Sequence, residues 1–243
     1  MEFYITSCLF VLDSQTNQDI RKNDFKSIKV VVNKSDRSLI KVKFDEKSDI
    51  KALMRHQIEN IIGSDKFHLE QVYTLGDSKF YQDGRIDIIY LAITNIENIK
   101  KLDEQYEALD FRIENNSKII FGQNNYEYKT IQKVSNNNIE YYHDIEVDDI
   151  NLEKVLLELI TAYKYLRARI DNTDIIFKFM PQIFTLEDVR IVYEIIKEVE
   201  VDKSNFRKKI VKYCEKVEQK VGNKGYRPSQ MYRFRPLVDD IWL

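Results

Sequence analysis

The 243-residue chain carries 38 Lys and Arg against 40 Asp and Glu, a formal net charge of -2, with 43% hydrophobic and 12% aromatic residues. That composition supplies packed cores, and with 6 Gly and 3 Pro it excludes a fibrous or disordered chain. The two cysteines, Cys8 and Cys214, have no short spacing between them, which argues against a zinc site or a disulfide framework and fits a reduced, cytoplasmic setting.

The opening MEFYITSCLFVLD is apolar but carries Glu2 and no basic start, so it reads as a strand rather than a secretion signal. No apolar run approaches the ~18 residues that span a bilayer, and no membrane association is expected. YITSCLFVL, FKSIKVVV, SLIKVKF and RIDIIYLAIT are rich in β-branched and aromatic residues and predict strands. SDIKALMRHQIENIIG predicts a helix: Ile50, Leu53, Met54, Ile58, Ile61 and Ile62 share a face, Ser48 or Asp49 can cap its start, and Gly63 can end it. KIIFG and YEYKTIQKV predict further strands before an Asn-rich turn at Asn136, Asn137 and Asn138. The first half is therefore expected to be α+β with a mixed sheet.

After residue 150 the period changes. Residues 151–170 form one long helical pattern, followed by a connector closed by Pro181. TLEDVRIVYEIIKEV predicts a helix with Thr185 as N-cap, Glu187 and Asp188 in its first turn, and Leu186, Val189, Val192, Tyr193 and Ile196 as its apolar stripe. After the break EVEV, Asp202 caps a last helix that buries Phe206, Ile210, Tyr213 or Cys214, and Val217. VGNKGYRPSQMYRFRP then predicts a hairpin turning at Gly222, Asn223 and Gly225. Helix, short turn, basic helix and basic hairpin is the order of a winged helix-turn-helix.

From Lys203 to Arg235 there are eleven Lys or Arg against two acids, Glu215 and Glu218, so the rest of the chain is acidic. Such segregation is either a solvated face or a surface for a polyanion. Two basic features where a recognition helix and a wing would lie favour the polyanion for Arg207, Lys208 and Lys212, with Lys224, Arg227 and Arg233 on the hairpin. Lys203, Ser204 and Asn205 occupy the first turn, where Asn can pair with adenine edges and Lys with phosphates; ordinary helix-start chemistry explains Ser204 and Asn205 equally well.

The phrases FMPQIFTLEDVRIVYEIIKEVEVDKSNFRKKI and GYRPSQMYRF resemble the C-terminal domain of the Nudix-related transcriptional regulators of NAD and sugar metabolism. The matching places are Met180 and Pro181, Phe184 to Leu186, Val192 to Glu194, Asp202, Lys203, Asn205 to Arg207, Lys209, and then Arg227, Pro228 and Tyr232 to Phe234. HLEQVYTLGDSKFYQDGRIDIIYLAIT resembles the family's stretch after the Nudix helix, which makes Gly63 the glycine ending that helix. In that alignment the Arg-Glu pair of the Nudix signature falls on His56 and Gln57, and its two metal-binding glutamates on Asn60 and Ile61. Mg²⁺ wants anionic oxygen ligands, so the resemblance implies a catalytically inactive Nudix domain with no cofactor and no metal.

The resemblance implies a Nudix-like mixed-sheet α/β/α sandwich at residues 1–148, followed by a linker helix and winged helix at residues 149–243. It implies a cytoplasmic, homodimeric transcription factor on duplex DNA with a palindromic operator. Its effector would be a nucleotide-like metabolite, ADP-ribose in type, near GDSKFYQDGR: Arg85 for a phosphate, Phe80 or Tyr81 for a base, and Asp77 as a further ligand-binding residue, although a plain β-connection accounts for each residue as well. The rival readings are an active Nudix pyrophosphatase with an accessory domain and a winged-helix adaptor that binds protein.

Overall fold

The structure, a computed structural model, describes residues 2–16, 23–44, 48–76, 85–135, 138–221 and 229–235. Its first half is a mixed sheet of nine strands: β1 (Glu2–Thr16), β2 (Asn23–Asn33), β3 (Ile40–Lys43), β4 (His68–Leu75), β5 (Arg85–Asn95), β6 (Tyr106–Glu114), β7 (Lys118–Phe121), β8 (Asn124–Ser135) and β9 (Asn138–Ile145). The order across it is β4-β5-β1-β2-β6-β7-β8-β9, with β3 also paired to β1. β1 runs parallel to β5 and antiparallel to β2 and β3.

Side-chain alternation divides β1 between two cores. Ile5, Leu9 and Val11 face the helix α1 (Ile50–Ile62), whose Met54, Ile58, Ile61 and Ile62 are buried against them. Cys8, Phe10 and Leu12 face the other side, where α2 (Ile150–Arg169) lies. The result is the expected α/β/α sandwich. α1 begins at Asp49, whose carboxylate accepts from the Ala52 N–H at 2.7 Å, and ends at Gly63 with φ +64°, a left-handed position suited to glycine.

α2 is buried on nearly every side. The sheet curls so that both of its end strands, β4 and β9, reach this helix. Tyr163 packs edge-on against Phe10 and Phe111 at 5.7 and 5.3 Å between ring centroids, and its hydroxyl donates to the Ile196 carbonyl. One apolar cluster runs without a break from Phe10 through Leu159 and Tyr163 to Val192, Ile196 and Phe206, across residues 148 and 149.

Beyond α2 come α3 (Leu186–Lys197), α4 (Lys203–Ile210) and the hairpin β10 (Cys214–Val221) with β11 (Ser229–Phe234). Thr185 caps α3 in a full capping box: its hydroxyl accepts from the Asp188 N–H while the Asp188 carboxylate accepts from the Thr185 N–H. α3 stops at Glu198 in the left-handed region, and the Glu194 carboxylate accepts from the Val201 N–H to fix the turn. Phe184 forms a bridge to Tyr232, so the wing is tied back to the start of α3.

Two expectations need correction. The last helix does not continue to Val217: α4 ends at Ile210, one 3-10 turn follows, and Cys214 already begins β10. Ile210, Tyr213, Cys214 and Val217 do recur at helical spacing, but pairing of Cys214 with Phe234 and Lys216 with Tyr232 is available only in the folded chain, and it wins. The wing therefore starts earlier than VGNKG suggests. The strands β4, β6 and β9 had no separate expectation, although the end of β6, DFRIE, alternates apolar and charged residues in the manner of a strand.

Candidate nucleic-acid interface and effector groove

α4 has eight residues and keeps two, Phe206 and Ile210, for the core. Phe206 seats it against Tyr193 of α3, with ring centroids 5.1 Å apart. Lys203, Ser204, Asn205, Arg207, Lys208 and Lys209 are all exposed. Asp202 caps the helix by accepting from the Asn205 N–H at 2.8 Å. With ~100° per residue, Ser204 and Lys208 point directly away from the core, Lys203 and Arg207 lean to one side, and Asn205 and Lys209 to the other. On the Arg207 side a cleft of about 300 Å³ opens between α3, α4 and β11, walled by Arg190, Arg207 and Gln230. On the Lys209 side the ammonium reaches Asp171 at 3.6 Å, a carboxylate that also accepts from Lys197 and Tyr193.

The sequence-derived residues differ in their surroundings. Arg207 and Lys208 are exposed, and Lys212 lies over the Tyr213 ring at 4.7 Å. Lys203 is paired with Glu187 at 3.3 Å, and Arg233 of the wing with Glu215 at 2.9 Å, so part of their charge is already matched. Lys224 and Arg227 lie outside the described residues, as do Asp77, Phe80 and Tyr81. Arg85 opens β5, where its backbone pairs with Glu2; its side chain is likewise outside the description.

On α1 the positions that the Nudix signature reserves for metal-binding glutamates carry Asn60 and Ile61. Asn60 bonds His56 at 3.2 Å, and Ile61 is buried in the core against the sheet. Glu59 faces Arg55 at 3.9 Å. Among the described residues no group of three or more His, Cys, Asp or Glu side chains could hold a metal ion.

Two features had no signal in the sequence. The first is a buried charge cluster joining the sheet to α2. Asp87 of β5 accepts from Lys154 of α2 at 2.5 Å and from Lys41 of β3 at 3.0 Å, and Lys154 lies 3.7 Å from Glu158. Burial pushes the Glu158 carboxyl up to about 7, while Lys154 pulls against it. The second is a groove of about 590 Å³ between β4, β9 and α2, with exposed Tyr73, Tyr141 and Tyr142 on its walls and Lys164 on its floor. It begins where β4 ends, just before the segment that the sequence assigned to an effector.

Comparison with known proteins finds likenesses in sequence and in fold. Residues 176–234 match the model of the NrtR DNA-binding winged helix domain. That match covers the helices and hairpin after α2 and leaves the sheet outside it. An ADPR responsive transcriptional repressor NtrR from Acinetobacter baylyi is 23% identical over 198 residues, which is 79% of this chain and 66%, just under two thirds, of that relative. The crystal structure of Shewanella oneidensis NrtR complexed with a 27mer DNA superimposes with a TM-score of 0.66 at 12% identity, covering 96% of this chain and 93% of that one. A MutT/nudix family protein from Enterococcus faecalis gives 0.66 at 13% identity, covering 97% and 88%. At such identities these two likenesses show the fold alone: a Nudix-like sandwich followed by a winged helix.

Proposed function

We propose that this chain regulates transcription by binding duplex DNA through α4 and the wing, under control of a nucleotide-like metabolite of the ADP-ribose type. Residues 1–148 serve as the sensing part, and residues 149–243 as the connecting helix and DNA-binding part. The carrying observation is α4 itself, which spends Phe206 and Ile210 on its seat and presents Ser204, Asn205, Arg207 and Lys208 outward beside a basic wing. Asn205 and Arg207 suit base edges; Lys203, Lys208, Lys212, Lys224, Arg227 and Arg233 suit phosphates. A homodimer places two such helices on the half-sites of a palindromic operator, in the cytoplasm.

The Nudix box is catalytically silent in this reading, because Gln57, Asn60 and Ile61 offer no anionic oxygen for Mg²⁺. Turnover of ADP-ribose that EDTA abolishes would return the chain to the pyrophosphatases.

The test of DNA binding is a gel-shift series on the segment upstream of the chain's own gene. The native protein shifts it, and the Arg207→Ala/Lys208→Ala double variant keeps its melting temperature but binds weakly. Its log-affinity falls less steeply with log salt, by about 0.9 for each phosphate contact removed. Equal affinity and equal salt slope for the two proteins would take this pair out of the interface.

A further inference from the structure

We propose that the groove between β4, β9 and α2 is the effector site, and that it takes a nucleotide whose phosphate sits on Lys164 and whose base lies against Tyr141. This deepens the proposed function and rests on its reading of the chain as a nucleotide-controlled regulator.

Four observations converge. The groove, at about 590 Å³, has the size of a site for one small molecule. Tyr73 and Tyr141 line it and are exposed at 52% and 66%, aromatic surface that stacking on a base would cover. Lys164 supplies the charge. Its ammonium touches the Thr130 hydroxyl and the His143 Nε2, both at 3.4 Å, and lies 5.2 Å from the centre of the Tyr128 ring. None of these partners is an anion, and no described carboxylate lies within ion-pair distance of it. Burial and nearby Arg167 lower its pKa, and burial with Lys164 pushes His143 down to about 4, so that imidazole is neutral and can accept the lysine's proton bond. A phosphate oxygen would replace a weak partner by an opposite charge.

The groove is also polar along its length. Glu153 lies at the other end, three helical turns or ~16 Å from Lys164 along α2. The site touches the route to the DNA-binding part. Its floor is α2, whose end carries Arg169 to Glu70 of β4 at 2.5 Å and Arg167 to the last carbonyl of α3 at 2.7 Å. Pulling β4 and β9 together over α2 therefore acts on the joint from which α3 and α4 hang.

Titration calorimetry of the full chain with ADP-ribose, AMP and adenosine tests this. The native protein binds ADP-ribose and AMP tighter than adenosine by about 10-fold or more, the value of a charge-assisted contact. Lys164→Gln brings AMP down to adenosine, and Lys164→Arg restores the difference. Tyr141→Ala, at an exposed position that leaves the fold intact, weakens all three ligands alike. Retention of the AMP preference in Lys164→Gln, or native affinities in Tyr141→Ala, overturns the site while leaving an effector elsewhere. Binding of none of the three by a native protein that still shifts its DNA overturns both this site and the effector clause of the proposed function.

Discussion

Replacing Glu158 by Gln should change how stability depends on pH, and the size of the change follows from the site. Glu158 is 3% exposed on the face of α2 that meets Asp87, and its folded-state pKa is pushed from 4.5 up to about 7 by burial. Folding therefore takes up a proton between those values. The stability contributed by the protonated form is complete below about pH 4.5 and is lost as pH rises through about 7. At ~1.4 kcal/mol per pKa unit, the loss by pH 8 is on the order of 3 kcal/mol. Gln keeps the shape and remains neutral, so the variant escapes this loss. His143 runs the other way: its depressed pKa makes the folded state gain stability as pH climbs from about 4 to 6.5, which masks the trend in the native protein alone. The difference between the two proteins isolates Glu158. Urea unfolding midpoints from pH 5 to 8 should diverge, with Glu158→Gln more stable by a growing margin up to about 3 kcal/mol. Parallel midpoints across that range would refute the claim that this carboxyl is held protonated by burial.

Phe206→Ala removes the ring that seats α4 on Tyr193 and should cost about 3 kcal/mol, seen as a lower thermal midpoint, with operator binding lost alongside it. Thr185→Ala breaks one half of the capping box of α3 and should cost about 1 kcal/mol by denaturant unfolding. Gly63→Ala forces a side chain into φ +64° at the end of α1, at about 1 kcal/mol by the same measurement; a native midpoint would show that the turn relaxes freely.

The ends of α1, α3 and α4 are legible in the sequence because their caps are local: Asp49, Thr185 and Asp202 each act within three or four residues of themselves. The exposed face of α4 is legible for the same reason, since two apolar residues four apart leave every other side chain outside. β10 is not legible, because the choice between a fourth helical turn and a strand is made by β11, which follows it. The Asp87 cluster joins residues 41, 87, 154 and 158, and the groove joins β4 to β9, the two strands farthest apart in the sheet order. No window along the chain contains either one. Asp77, Phe80, Arg85, Lys224 and Arg227 keep the roles assigned from sequence only as proposals.

The apolar cluster that passes from Phe10 through Tyr163 to Ile196 and Phe206 has a consequence for dissection of the protein. A fragment beginning at residue 149 would expose the entire flank of α2 that the sheet now covers, including Leu156, Leu159 and Ile160. Such a fragment would self-associate through that flank, and the sheet deprived of α2 would be left equally bare. The two halves are therefore expected to melt in one transition, since each takes part of its core from the other, and scanning calorimetry that resolves two transitions would contradict this.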